Sequence, residues 1–259
     1  MAIFTKRRHA DSLLELKSAE DGLFKINHIY EPEFHQDKYV DACIETSKLE
    51  DSFQIGDEKY IAKSITRGKQ PFYADNEDDP DSLFWEGMVL PDGTRLIDED
   101  CKENVCALKS NSVRSGFIDT SLARSVTREF YEKNKDKAGV KKNDILINST
   151  GDGTIGRVAV FNYDFPAVVD GHITIVRFKD PVLAWYVAAF LQTETGQNQI
   201  YRYINGSSGQ VEIYPQDIGR IWVKPCEREK MSRIAKSFEA ACKKHDDFYK
   251  DLKAALYDI

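Results

Sequence analysis

The sequence predicts an α+β fold: a mixed, twisted β-sheet domain with flanking helices, followed by one long C-terminal α-helix. Three observations predict it. Between Asp144 and Phe178, β-branched residues recur at alternate positions in short runs broken by glycine, which is the period of strands. Pro181 then opens a segment in which Leu183, Tyr186, Val187, Phe190 and Leu191 follow the i, i+3, i+4, i+7, i+8 spacing of one packed helical face. Beyond Pro225 there is neither proline nor glycine. Met231, Ile234, Phe238, Ala241, His245, Phe248, Leu252, Ala255 and Ile259 step strictly by 3 and 4, an a/d heptad seam.

Taken in order, residues 1–50 read as a lead-in segment packing on the main domain, with a short helix near residues 11–18 and an irregular stretch containing "KINHIYEPEF". Residues 51–225 form the main domain. Residues 60–65 read as a strand and 66–73 as a loop, because Gly68 and Pro71 both interrupt regular pairing. Pro91-Asp92-Gly93 is a turn signal between two apolar runs, so residues 85–100 should form a hairpin. Residues 105–108 are a short buried strand, and 125–135 a helix with Thr127 at its cap and Glu129 in its first turn. Strands follow at 144–148, 157–161 and 173–178, with a glycine loop at 150–156. Helices at 181–192 and 196–203 and a short strand at 221–223 complete the domain. Residues 226–259 hold the long helix, which over about 32 residues would run about 48 Å at about 1.5 Å per residue. One apolar stripe on so long a helix needs a partner surface. That surface is a second helix or the chain's own domain; His245 on the seam would set register or partner choice.

Composition narrows the class. At 259 residues, with 41% hydrophobic and 31% charged, the chain can bury a sizeable core. No apolar run approaches the roughly 20 residues needed to span a bilayer, and the N-terminal stretch lacks the apolar segment of a signal peptide. Five cysteines without metal-ligand spacing fit free thiols in a reducing cytoplasm. The net charge of −7 argues against a polyanionic partner at first sight, but the charge is uneven. Residues 1–110 hold 14 Lys+Arg against 24 Asp+Glu, and residues 111–259 hold 22 against 19. Local potential, not the total, decides contact with phosphate.

Gly151-Asp152-Gly153-Thr154-Ile155-Gly156-Arg157-Val158 imitates two nucleotide-binding loops by letter. A dinucleotide loop must open a helix, and here a strand follows. A kinase glycine loop does sit between strands, but the chain has neither H-R-D nor D-F-G. The spacing therefore reads as a tight turn that needs positive φ. Nor does the sequence hold an amino-methylation tetrapeptide, zinc spacing among its five histidines, or a base placed for Ser207 or Ser208. No catalytic residue, metal or cofactor is expected. What remains is a binding surface made of polar loops. Its candidates are Thr66, Arg67, Lys69, Gln70 and Tyr73; Lys109, Asn111 and Arg114; Thr150 and Thr154; and Asn205, Ser207, Ser208 and Gln210. Arg and Lys can pair with guanine edges and phosphates, and Asn or Gln with adenine.

An ordered set of segments carries a family resemblance. It runs through Ile65-Thr66-Arg67-Gly68-Lys69-Gln70-Pro71-Phe72-Tyr73, Gly116-Phe117-Ile118-Asp119, Val126-Thr127-Arg128-Glu129-Phe130, Asn143-Asp144-Ile145-Leu146-Ile147 and the glycine loop. It continues through the helix from Pro181, Gly196-Gln197, the loop from Gly206 to Gln210, the close at Pro225 and the heptad segment. Together these resemble the target-recognition domain of type I restriction-modification specificity subunits, over residues 61–259. The departures are one recognition domain and one long helix where full subunits carry two of each, Asn143 where glycine is usual, and a longer insertion around residues 85–106. The resemblance implies double-stranded DNA and a methyltransferase subunit as partners, with a restriction subunit in systems that cleave. It also implies a homodimer joined through the C-terminal helix, and a bipartite target whose spacing the helices set. The helix positions implied are Met231, Ile234, Phe238, Ala241, His245, Phe248, Leu252 and Ala255. The competing reading is a protein-interaction scaffold or decoy that engages the methyltransferase through this helix without reading DNA.

Overall fold

The computed structural model describes residues 32–206 and 211–257. The helix expected at residues 11–18, and Ser207, Ser208, Gln210 and Ile259, lie outside the described residues. In chain order the first elements are α1 (Asp37–Ser47), β1 (Phe53–Gln54), β2 (Thr66–Arg67), β3 (Val105–Leu108), β4 (Arg124–Val126), α2 (Arg128–Ala138) and β5 (Gly139–Val140). Then come β6 (Asp144–Asn148), β7 (Val158–Phe161), β8 (Ala167–Val169), β9 (Ile173–Val176), α3 (Pro181–Leu191), α4 (Glu194–Arg202), α5 (Pro215–Gly219), β10 (Trp222–Val223) and α6 (Arg228–Tyr257). The fold is α+β, with the long helix last.

The described strands divide among three sheets. One is antiparallel throughout, in the order β2-β9-β6-β7, with Leu146 opposite both Ile175 and Ala159. The second runs β4-β3-β8-β5, with β3 and β8 parallel. The third pairs β1 with β10. All of β6 is buried because both its faces are covered. Ile145 and Ile147 enter the core under α3, with Trp185, Val187 and Leu191. Leu146 points into a second core with Cys106, Leu108, Ala167 and Val169. This explains why β6 reads as a continuous apolar run rather than as apolar–polar alternation.

The expected helix starts are made by side chains. Thr127 Oγ1 accepts from Phe130 N at 3.2 Å at the head of α2. Asp180 Oδ1 accepts from Val182 N at 2.9 Å beside Pro181, and Thr193 Oγ1 from Gly196 N at 3.2 Å. Each satisfies an amide that the first turn leaves without a partner. The hairpin of the insertion closes through Leu90 N to Thr94 O and Leu96 N to Met88 O, both 2.8 Å, with Gly93 at φ 87°. Asn143 takes φ 72°, a region that few side chains besides asparagine tolerate. Its Oδ1 also accepts from Trp185 Nε1 at 2.9 Å. Asp144, fully buried, receives Arg177 Nε at 2.7 Å and Nη2 at 2.6 Å, a bidentate pair joining β6 to the end of β9.

Some elements differ from the sequence reading. Residues 60–65 form turns with a lone bridge from Ile61 to Phe178, and the strand lies next door at β2, inside the segment read as a loop. The edge of β9 decides this, by offering Thr174 and Ile175 to Arg67 and Thr66. Helix α1 occupies part of the segment read as irregular, with Val40, Cys43 and Thr46 buried. Strand β8 and helix α5, three and five residues long, were not anticipated.

The C-terminal helix also differs in what it packs on. Helix α6 is 30 residues, about 45 Å long. Its first half lies on the chain's own core rather than facing away from it. Met231, Ile234, Phe238 and Cys242 are partly buried against that core, and Ala235 is fully buried. Phe238 meets Trp185 edge-on at 5.8 Å, and the Cys242 thiol donates to Gly116 O at 3.0 Å. His245 lies against Phe117 at 3.8 Å, and Tyr163 Oη bonds Asp246 Oδ2 at 3.0 Å. The reason is the mismatch between 3.6 residues per turn and a strict heptad, which rotates the seam by about 20° per heptad around a straight helix. The near end of the seam meets the domain, while Ala241, Phe248, Leu252 and Ala255 are exposed on its flank.

Candidate functional site

The turn between β8 and β9, Asp170-Gly171-His172, gathers loops that lie far apart in sequence. The turn itself is closed by His172 N donating to Asp170 Oδ1 at 2.8 Å. Asp170 N bonds Leu108 O at 3.1 Å, which fixes the start of the loop holding Lys109 and Asn111. Gly68 N bonds Ile173 O at 2.9 Å and Lys69 N bonds Val169 O at 3.2 Å, fixing the loop that holds Gln70 and Tyr73. Ser149 N bonds His172 O and Ile213 N bonds Ser149 O, both at 2.9 Å, bringing in Thr150 and the segment around Glu212. Asn205 pairs with Glu212 through both backbone bonds, at 2.7 and 2.8 Å. Gly68 is required by this crowding: a Cβ there would lie 2.3 Å from the carbonyl oxygens of Val169 and Asp170.

The side chains divide into engaged and available groups. Arg67 forms an ion pair with Glu212, donates from Nη2 to Ile213 O at 2.8 Å and lies 5.8 Å from the Tyr214 ring centre. This guanidinium holds the Glu212 carboxyl below the ordinary carboxylate range, while the Glu212 charge raises Tyr214. Lys69 Nζ donates to Asn134 Oδ1 at 2.9 Å. Tyr73 lies under the Arg124 guanidinium at 3.9 Å and the Lys109 ammonium at 5.7 Å, and burial pushes its phenol up to about 12. Arg124 also bonds Asp75 at 2.7 Å. Burial likewise raises Asp170, against the opposing hydrogen bond from the His172 amide. Thr150 Oγ1 meets His172 Nδ1 at 2.5 Å. Among the described residues, Lys69 and Lys109 form no ion pair, and Gln70, Asn111 and His172 are exposed.

Thr66, Arg67, Lys69, Gln70, Tyr73, Lys109, Thr150 and Asn205 are therefore linked around one turn. Asn148 Nδ2 holds the carbonyl of Ser110 at 2.7 Å and keeps Asn111 nearby. Arg114 lies elsewhere, on the turn before Gly116 that backs onto α6. The Thr154 hydroxyl is consumed by its own turn, donating toward Thr150 O at 3.2 Å and Gly151 O at 3.3 Å. In that glycine loop Gly151, Gly153 and Gly156 take φ 90°, 78° and 83°. The amides of Gly151, Thr154, Ile155 and Gly156 bond Val211, Gly151 and Asn148 carbonyls, and β7 follows. Those amides close a turn instead of facing an anion. Sequence reasoning overlooked Asp170, His172, Glu212, Tyr214, Arg124 and Phe72. The Asp-Gly pair at 170–171 was a usable turn signal, had the three residues of β8 been recognised as a strand. The pairing of Glu212 with Arg67, 145 positions apart, had no local signal.

The arrangement is an open polar face with two ammonium groups that have no carboxylate partner among the described residues, amide and hydroxyl donors, and aromatic rings beneath the cations. Among the described residues no group of three or more His, Cys, Asp or Glu side chains is placed to hold a metal ion. No helix there is long and apolar enough to cross a membrane. All five cysteines are free thiols.

No family model and no curated protein matches this chain. Solved structures are similar to it. A chain from a type I R-M system, studied for complex assembly and conformational transition, is 12% identical at TM-score 0.44, over 96% of this chain and 48% of that one. The HsdS subunit from Thermoanaerobacter tengcongensis is 12% identical at TM-score 0.43, over 96% and 51%. The type IIG restriction endonuclease BpuSI is 9% identical at TM-score 0.49, over 81% and 29%. This chain thus spans about half the length of the two type I chains and under a third of BpuSI.

Proposed function

We propose that this chain is a non-catalytic DNA sequence-recognition module, which directs methyltransferase, and in cleaving systems restriction, subunits to a bipartite target. The observation that carries the reading is the convergence of the 66–73, 109–111 and 149–150 segments on the Asp170–His172 turn, with the paired Asn205 and Glu212 joined to it through Ser149. Separate loops bound to one rigid turn can present phosphate-binding cations and base-reading amides in fixed register, as direct readout requires. The ordered motifs that resemble type I specificity subunits support the same reading. The exposed flank of α6, with Phe248, Leu252 and Leu256, leaves an apolar surface for a partner, which in this reading is a second copy. Two copies related by a two-fold axis would read inverted half-sites at a spacing set by the helices.

The test is enrichment of random duplex DNA on the purified chain, alone and with a methyltransferase encoded beside it. Inverted half-sites at fixed spacing are the expected result. One ungapped half-site keeps recognition but removes the homodimer. No enrichment in either condition overturns the DNA reading and favours the scaffold, for which the same exposed helix flank and the net charge of −7 speak.

A further inference from the structure

Phe72 is 92% exposed, the highest value among the exposed large hydrophobic side chains described. Scattered apolar side chains at a surface are ordinary. This one differs because the backbone on both sides of it is held. Upstream, the Gly68 and Lys69 amides are bonded to Ile173 O and Val169 O, and Pro71 is buried with its φ restricted by the ring. Downstream, Ala74 N bonds Ser125 O at 2.7 Å, and the Tyr73 ring is stacked beneath Arg124. A short, pinned loop therefore extends a single bare ring into solvent. Three cations stand close by: Lys69 precedes it by three residues, and the Lys109 and Arg124 cations sit over the adjoining Tyr73, with Arg124 already paired to Asp75. Gln70, two residues before, runs beside Gly171 of the gathering turn, so the loop that carries the ring adjoins the polar loops.

We propose that Phe72 is an apolar wedge that enters a base-pair step of duplex DNA and unstacks it, an inference that rests on the DNA-recognition reading above. Lys69 and Lys109, which form no ion pair among the described residues, favour a polyanion over an apolar protein surface. Apolar side chains of this kind insert between base pairs and kink the duplex, while nearby cations hold the phosphates. The free protein leaves the ring in water, and the stack supplies the burial it lacks. Pyrimidine–purine steps unstack most easily, so a TA or CA/TG step should recur at one position of each half-site without needing edge contacts.

The experiment uses the full chain, with the methyltransferase where enrichment requires it, on the enriched duplex carrying 2-aminopurine at successive steps. Wild type should brighten the probe at one step. Phe72→Ala should abolish that signal and weaken binding by roughly ten- to a hundredfold, the scale of one lost aromatic–base stack. Phe72→Trp should retain both. Because the ring is exposed, Phe72→Ala should melt as wild type does, and circular dichroism checks this. If wild type binds but Phe72→Ala binds equally well and no step brightens, the wedge is overturned while recognition stands. If Phe72→Ala keeps its DNA affinity but loses the methyltransferase, the ring is a protein contact and the wedge is overturned too. If wild type enriches no duplex in either condition, the recognition reading itself falls, and the wedge with it.

Discussion

Association through the far half of the C-terminal helix can be separated from its docking through the near half. Phe248, Leu252 and Leu256 are 63%, 43% and 60% exposed. Full burial of such a side chain is worth about 1.5–3 kcal/mol, so the exposed fractions represent about 2.5–5 kcal/mol per chain and about 5–10 kcal/mol for a symmetric pair. That is only comparable with the roughly 4–15 kcal/mol that association costs, so a homodimer held by this flank alone should be weak and sensitive to these positions. Replacing Phe248 and Leu252 together with Lys removes about 3–6 kcal/mol over two chains, roughly a 10²- to 10⁵-fold weakening. Sedimentation velocity over a concentration series should show a dimer for wild type and a monomer for the double variant, with unchanged Tm. Phe238→Ala should do the reverse. It removes the contact with Trp185 and costs about 3 kcal/mol of stability while leaving the association surface in place. A double variant that remains dimeric would refute the assignment of this flank, and a wild type that stays monomeric throughout would refute the homodimer.

Three further outcomes follow from the site and its supports. Asp144→Asn breaks the buried bidentate pair with Arg177, whose side chain keeps 19% exposure, so a loss near the low end of about 3–5 kcal/mol is expected. Thermal unfolding should show it as a drop of about 6–12 °C. Glu212 has a lowered carboxyl value because of Arg67, so the pair's contribution is complete above the ordinary value of 4.5 and is lost as pH falls through the lowered one. Glu212→Gln should therefore flatten the acid side of a Tm-against-pH profile, and an identical profile would contradict the pairing. Lys69→Ala and Lys109→Ala should each reduce the slope of log affinity against log salt by about 0.9 if each neutralises one phosphate. An unchanged slope would remove that lysine from the phosphate contacts.

Much of the architecture was legible locally. Thr127, Asp180-Pro181 and Thr193 mark helix starts because a short oxygen-bearing side chain satisfies amides within its own turn. Strands β6, β7 and β9 could be read because β-branched runs bounded by glycine have few other uses. Helix α1 carried a readable buried stripe at Val40, Cys43 and Thr46, but its polar setting hid it. Strands β2 and β8 could not be read, since two or three residues hold no period and become strands only when an edge is offered. At the candidate site the loops were legible as polar, glycine-bearing segments. Their common anchor at Asp170–His172 and the capture of Arg67 by Glu212 were not.

The sequence alone determined the α+β class, the order of the main elements, the glycine turn before β7 and the long helix after Pro225. Each depends on interactions among neighbours within a few residues, which spacing records directly. Only the tertiary structure decided which loops share a face, which cations remain unpaired, and which half of α6 stays exposed. Those outcomes depend on contacts between residues tens to more than a hundred positions apart, and on the slow rotation of a heptad seam around a straight helix.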